Sequence, residues 1–307
     1  MVAQVPREAP LSELYEELRP LMFSIAYRML GSASDAEDIV QEAFLRYHQE
    51  AGKGTEIESP KTYLSAVTTR LSIDHLRSAR VRRERYVGTW LPEPLVTDAV
   101  APHAETADTL SMAFLVLLES LTPVERAVFL LREVFDYGYD EIAKVVGKSE
   151  DNCRQIAVRA RRQIEAKKPR FEASRERREE LARRFFDAAA KGDTKGLLNL
   201  LAADVVLYGD GGGKAPAIAR PVHGADRVVR ALAEGAKRGR KRFVVRGMQR
   251  VAINGQPGGL FLNADGMPMV AMALDIADGL VQTIRVVTNP EKLAHLGTYS
   301  GQPYPGS

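Results

Sequence analysis

Between residues 11 and 86 the apolar positions recur with helical spacing. Ala36, Ile39, Val40, Ala43, Phe44 and Tyr47 follow one another at intervals of three, one, three, one and three, the signature of one buried helix stripe. Ser34 to Glu37 has the Ser-x-x-Glu form of a capping box and sets the expected start of that helix. Its opposite face carries Asp35, Asp38, Gln41, Glu42 and Leu45. After the loop "GKGTEIESP", Ser59-Pro60 reads as an N-cap and first-turn proline, opening a helix through "KTYLSAVTTRLSIDHLRSARVRRER". The stretch "GTWLPEPLVTDAVAPHAETAD", rich in proline and small residues, reads as a linker. Helical spacing returns in "LSMAFLVLLESLTPVERAVFLLREVF", where Thr122 to Glu125 forms a second capping box around Pro123.

The segment "YDEIAKVVGKSEDNCRQIAVRARRQI" resolves into helix, tight turn and helix. Ile142, Ala143 and Val146 are expected to face inward on the first, Gly147 to allow the turn, and Ser149 to cap the second. On the second helix Cys153, Ile156, Ala157, Ala160 and Ile164 make the buried stripe, leaving Arg154, Gln155, Val158, Arg159, Arg161 and Arg162 outward. Beyond residue 175 the periodicity changes. "RREELARRFFDAAAKGDTKGLLNLL" reads as two helices broken at Gly192-Asp193. "DVVLYGD", "RFVVRGMQRVAING", "GLFLNAD", "PMVAMALDIADG" and "LVQTIRVVTNP" then read as strands of a curved antiparallel sheet. The expected fold class is therefore multidomain: two all-α domains, a helical bundle and a helix-turn-helix, followed by an α+β domain.

Charge sharpens this picture. The net charge of the 307-residue chain is only +3, but its distribution is uneven. Residues 11–50 hold eight acids and three arginines, residues 70–85 six arginines and two acids. The stretch from Lys148 to Lys168 carries four arginines and three lysines against three acids. Acidic and basic surfaces in series suit more than one macromolecular partner. Arginine and glutamine on the outer face of a helix-turn-helix suit base edges and phosphate. The single cysteine, Cys153, leaves no intrachain disulfide and fits a reducing cytoplasm. No apolar run reaches membrane-spanning length and the N-terminus lacks an apolar signal core. The five histidines (48, 75, 103, 223, 295) form no metal-ligand pattern, and "DGGGK" lacks the frame of a phosphate-binding P-loop, reading instead as a flexible glycine loop. Neither a metal nor a cofactor is expected.

Three motifs in order, "SDAEDIVQEAFLRYH", "SPKTYLSAVTTRLSIDHLRSAR" and "LTPVERAVFLLREVFDYGYDEIAKVVGKSEDNCRQIAVRARRQI", closely resemble the extracytoplasmic-function (ECF) group of sigma-70 transcription initiation factors. "WLPEP" at 90–94, "DGGGK" at 210–214 and "NPEKL" at 289–293 resemble the variant of that group with a SnoaL-like (NTF2-like) C-terminal extension. The resemblance implies sigma region 2 at 11–86, a linker at 87–109, region 4 at 110–168 and the regulatory SnoaL-like domain at 175–296. It implies a non-enzymatic, cytoplasmic protein that binds core RNA polymerase, through its β′ clamp helices and β flap, and promoter DNA. Asp35, Asp38, Gln41 and Glu42 are then the expected polymerase-binding face. Lys61, Thr68, Thr69, Arg70 and Arg77 are expected at the −10 element. Ser149, Asn152, Arg154, Gln155, Arg159, Arg161 and Arg162 are expected at the −35 element. An intramolecular clasp is expected between Trp90, Leu91 and Pro92, the loop Asp210, Gly211, Gly212, Gly213 and Lys214, and the tail from Asn289 and Pro290, with Trp90 an exposed amphipathic handle.

Two other functions remain open from the residues alone. Folds like the C-terminal one include isomerases and cyclases, for which Asp210, His223, Asp265 and Asp275 are the candidate acids and bases. A stand-alone DNA-binding regulator with a ligand-sensing domain would account for the helix-turn-helix, but not for the acidic first segment or the long basic helix after Pro60.

Overall fold

The structure is a computed structural model that describes residues 11–54, 56–84, 86–97, 109–166, 174–242 and 247–299. Helices α1 (Leu11–Leu30), α2 (Ala33–Gly52) and α3 (Pro60–Glu84) pack into a bundle around Met22, Phe23 and Tyr27. The stripe foreseen on α2 is the buried one. Its start is not where the Ser-x-x-Glu pattern placed it. The cap is Ser32, whose hydroxyl accepts from the Asp35 amide at 3.1 Å, while the Glu93 carboxylate takes the amides of Ala33 (2.8 Å) and Ser34 (3.1 Å). An acid sixty residues away does the work that Glu37 was expected to do.

Helices α4 (Met112–Leu118), α5 (Pro123–Glu133), α6 (Tyr139–Val146) and α7 (Glu150–Glu165) follow. The capping box at Thr122 and Glu125 is present on α5. Helices α6 and α7 make the foreseen helix-turn-helix, with Gly147 in the left-handed region at φ 65° and Ser149 capping α7 through the Asn152 amide. Val145, not named from the sequence, is buried with Ile142, while Ala143 and Val146 are half-buried. The two helical assemblies are not separate bodies: Leu130, Ala160 and Ile164 belong to the same apolar cluster as Leu64 and Val67 of α3.

The C-terminal part begins with α8 (Arg175–Lys191) and α9 (Thr194–Leu198), broken at Gly192-Asp193 as expected. Its strands are β2 (Leu201–Asp210), β3 (Val222–His223), β4 (Gly247–Ile253), β5 (Gln256–Leu262), β6 (Pro268–Ala277) and β7 (Leu280–Val287). The sheet is mixed rather than antiparallel, because β2 runs parallel to β7. Residues 225–242 form a helix, α10 (Ala225–Arg242), that the sequence reading missed. Val228 and Val229 are buried, and Ala225, Ala231 and Leu232 pack against the same cluster, so an apolar stripe was present at helical spacing, set among two glycines and dense charge. Positions 243–246 of the expected strand lie outside the described residues.

The linker is the largest departure. Leu91 to Thr97 are buried, and Val96–Thr97 form a strand, β1, paired antiparallel with β4 at the edge of the C-terminal sheet. The strand order is β1-β4-β5-β6-β7-β2-β3. Since side chains alternate along strands, the sheet has two apolar faces. One packs Val205, Leu207, Leu274 and Ile284 with Phe185 of α8 and Val228 of α10. The other packs Leu260, Ala271, Ala273 and Val287 with Leu91, Val96 and Met112 from outside the domain.

Candidate nucleic-acid surfaces and the junction that holds them

Helix α7 presents its basic residues outward because its buried stripe is fixed by α5 and α6. Arg154, Gln155, Arg159, Arg161 and Arg162 are all exposed, as are Ser149 and Asn152. Arg154 pairs with Glu150 at 3.0 Å and lies over the Tyr139 ring at 4.8 Å. Arg161 is held by Glu133 at 2.5 Å. Such exposed pairs are weak and exchange readily for phosphate. Cys153 is buried beneath this surface, and burial raises its thiol pKa, in keeping with a core role.

Helix α3 is different. Lys61 and Arg77 are exposed, but Thr68 and Thr69 are fully buried in the present arrangement, and the Thr68 hydroxyl points at the Met22 sulfur at 3.4 Å. The expectation that they meet DNA is not met by this arrangement. Arg70 is occupied by the chain itself: Nε donates to the Val145 carbonyl at 2.9 Å and a terminal nitrogen to the Lys144 carbonyl at 2.6 Å. The acceptors are the last carbonyls of α6, where the helix dipole favours a cation. Beside it, the hydroxyls of Ser65 and Tyr137 share a hydrogen bond of 2.6 Å. Arg126, buried on α5, donates to the Met29 carbonyl of α1 at 2.6 Å and pairs with Glu119 at 2.9 Å. The acidic face of α2 has Asp38 and Gln41 exposed, while Asp35 lies 3.3 Å from His75 and Glu42 pairs with Arg46 at 2.7 Å.

The expected clasp residues do come together, around a group the sequence reading cast otherwise. Asp210, a candidate general base, is completely buried. One carboxylate oxygen accepts from Tyr86 Oη at 2.5 Å, and the other from the Leu91 amide at 2.8 Å and Lys292 Nζ at 2.7 Å. Burial and the Asp210 carboxylate push the Tyr86 phenol upward. Lys292 also donates to the Leu91 carbonyl and sits between two rings, 4.8 Å from Tyr86 and 4.4 Å from Trp90. The glycine loop is a fitted part: Gly212 has φ 57°, and a Cβ there would lie 2.9 Å from Tyr86 Oη. Lys214 pairs with Glu291, and Asn289 Nδ2 donates to Tyr86 Oη at 3.0 Å. Trp90 is half-buried rather than an exposed handle. Its ring covers Gly31, where φ is 67° and an added Cβ would meet Trp90 Cη2 at 2.8 Å.

A second polar knot, unforeseen, lies nearby. Asn254, at φ 53° in the β4–β5 turn, donates to Tyr27 Oη (2.6 Å) and the Leu110 carbonyl (3.1 Å), and accepts from the Leu95 amide (3.0 Å). Tyr27 Oη donates in turn to the Glu93 carbonyl at 2.6 Å. One asparagine thus touches the first bundle, the linker and the start of the second helical assembly. The Asn-Gly turn signal was legible, but not what its side chain would reach. His295 Nε2 lies 2.9 Å from the Pro94 carbonyl and Nδ1 3.8 Å from Glu93; burial lowers its pKa, opposed by that carboxylate.

The other acid–base candidates do not converge. His223 and Asp265 are exposed on β3 and in the β5–β6 turn, and Asp275 is buried against Arg285. Among the described residues no group of His, Cys, Asp or Glu could hold a metal, and no helix is long and apolar enough to cross a membrane.

The sigma-70 region 2 family profile matches residues 14–82, and the sigma-70 region 4 profile matches 111–164. The ECF RNA polymerase sigma factor SigJ of Mycobacterium tuberculosis is 38% identical over 291 residues, 91% of this chain and 91% of that protein. Its crystal structure matches with a TM-score of 0.73 at 36% identity, covering 92% of this chain and 98% of that one. A probable ECF RNA polymerase sigma factor of the same organism, SigI, is 36% identical over 196 residues, 62% of this chain and 67% of its own.

Proposed function

This chain belongs to the extracytoplasmic-function group of sigma-70 factors and directs transcription initiation; from that premise we propose that its C-terminal SnoaL-like domain controls initiation in cis by holding regions 2 and 4 together. The observation that carries the reading is the shared core: α3 and α7 contribute to one apolar cluster, with Arg70 spent on α6. The −10 and −35 elements lie roughly 80 Å apart along B-form DNA, at about 3.4 Å per base pair. Two regions packed on one core do not span that distance. The arrangement therefore describes a resting form, and initiation on polymerase requires regions 2 and 4 to part.

The C-terminal domain is placed to set that equilibrium. It holds the linker by Asp210 and Lys292, by Asn254, and by pairing β1 into its own sheet. In the open form we assign the −35 element to Arg154, Gln155, Arg159, Arg161 and Arg162, and the −10 element to Lys61, Arg70 and Arg77, with Thr68 and Thr69 reached only after opening. Asp35, Asp38, Gln41 and Glu42 are assigned to the β′ clamp helices, and region 4 to the β flap. We place the domain as regulatory rather than enzymatic, since Asp210 is consumed by the clasp and the other candidates stand apart, and the protein as acting in the cytoplasm.

The test is promoter-dependent transcription in vitro with core polymerase, comparing the full chain with Asp210→Asn. Altered transcript yield with unchanged affinity of the isolated α7 contacts for DNA is the expected result. Equal yields from both, with the distance between regions 2 and 4 also unchanged, would sink cis control.

A further inference from the structure

Between Arg227 and Arg250 the chain holds nine lysines and arginines and one acid, Glu234, so the remainder of this +3 protein is net acidic. Most of this charge is on α10, which packs on β2, β3 and α9 through Val228 and Val229. Arg227, Arg230, Lys237 and Arg238 are exposed on its other side, at intervals of three, seven and one residues that return to one half of the helix. Lys237 pairs with Glu234 at 2.9 Å, and the Arg230 Nε donates to the Asp226 carbonyl at 3.2 Å. Among the described residues Arg227, Arg230 and Arg238 have no acid within ion-pairing distance. The sequence continues Gly-Arg-Lys-Arg to residue 242, while Arg250 on β4, though exposed, lies 3.7 Å from Asp187 of α8.

The position of this face matters as much as its charge. Helix α10 covers the sheet face that packs with α8, whereas the linker, Met112 and the clasp occupy the opposite face. The basic side is therefore turned away from regions 2 and 4 and is available in the closed form as well as the open one. Like charges gathered on one helix repel, and the bonds that Arg230 and Lys237 make are to Asp226 and Glu234 of the same helix. From Arg227 to Arg238 the helix rises about 16 Å, the length of about five phosphates on one strand of B-form DNA.

We propose that the outer face of α10 is a phosphate-binding surface for duplex DNA, a contact of the C-terminal domain additional to those of regions 2 and 4. The partner is the sugar-phosphate backbone rather than a particular base sequence, because the face offers point charges and forks but no asparagine or glutamine for adenine edges. The contact is independent of cis control, and would hold the chain on DNA through the closed state.

The experiment uses the full chain, a fluorescent duplex of arbitrary sequence, and anisotropy over about 50 to 300 mM salt. The four-site variant Arg227→Ala, Arg230→Ala, Lys237→Ala and Arg238→Ala should flatten the slope of log K against log salt by about 2 to 3, and weaken binding roughly tenfold or more near 100 mM. Lysine in place of the three arginines should restore the slope. Circular dichroism checks that the exposed substitutions leave the fold intact. An unchanged slope and affinity in the alanine variant overturns the proposal, and so does a loss confined to phosphatidylserine vesicles with DNA binding intact. If only Arg154→Ala with Arg159→Ala weakens DNA binding, the α10 surface fails while the assignment of α7 stands.

Discussion

Helices α3 and α7 both carry arginines assigned to promoter DNA, yet they meet opposite fates in the same molecule. On α7 the arginines are exposed, and those with partners have only surface acids, so a phosphate displaces them at little cost. On α3, Arg70 is engaged by two helix-end carbonyls, and Thr68 and Thr69 face a core shared with region 4. The difference teaches that closure does not switch off DNA contact uniformly. In the proposed closed form the residues assigned to the −35 element stay exposed, while Thr68, Thr69 and Arg70 of the proposed −10 surface are covered or engaged and Lys61 and Arg77 stay exposed.

The most direct way to break this contrast is to remove the charge at the centre of the clasp. Asp210→Asn leaves the buried Lys292 without its anion, which should weaken the junction by about 3 kcal/mol. Dye labels at positions 46 and 159, both exposed, should move apart, since the native Cys153 is buried and spared from labelling. An unchanged distance would refute the clasp. Trp90→Ala removes the ring over Gly31 and under Lys292, and for a half-buried site the expected loss is about 2 kcal/mol, read as a lower midpoint of unfolding. Arg70→Ala sharpens the contrast without touching the clasp: losing two hydrogen bonds at the end of α6 should cost about 1 kcal/mol and raise amide exchange in α3 while α7 is unaffected. The smallest effect is one of pH. Burial lowers the pKa of His295, so its neutral form favours the closed state. That contribution is complete above about pH 6.5 and is lost as pH falls from there through the depressed folded value. Titrating the label distance downward from pH 7.5 should show opening, and His295→Gln should flatten the curve.

What was legible in the sequence follows from how far each contact reaches along the chain. The stripe of α2, the capping box at Thr122 and the outward basic face of α7 are set by neighbours three and four positions away, and periodicity reports them directly. The cap of α2 was misplaced because Glu93, which supplies it, is about sixty positions off. "WLPEP" and "DGGGK" were recognised as partners, but the buried Asp210, its ties to Tyr86 and Lys292, and the reach of Asn254 to Tyr27 depend on tertiary geometry over a hundred residues and more. The helix α10 carries a stripe of Ala225, Val228, Val229 and Leu232 that the density of charge and glycine around it obscured, and the parallel pairing of β2 with β7 escaped because alternation says nothing of strand direction.

The Glu93 carboxylate that caps α2 has a consequence for polymerase. That helix carries the acidic face assigned to the β′ clamp, yet its first amides are satisfied by the linker rather than by its own residues. If the linker leaves its seat, α2 loses a capping anion worth about 1 kcal/mol, unless polymerase or water replaces it. Linker release and clamp binding then meet in a single turn of helix. By thermodynamic reciprocity, whatever the linker's departure does to the affinity for the clamp, the clamp must do to the linker's departure. Polymerase would thereby be an effector of the resting form as well as its destination.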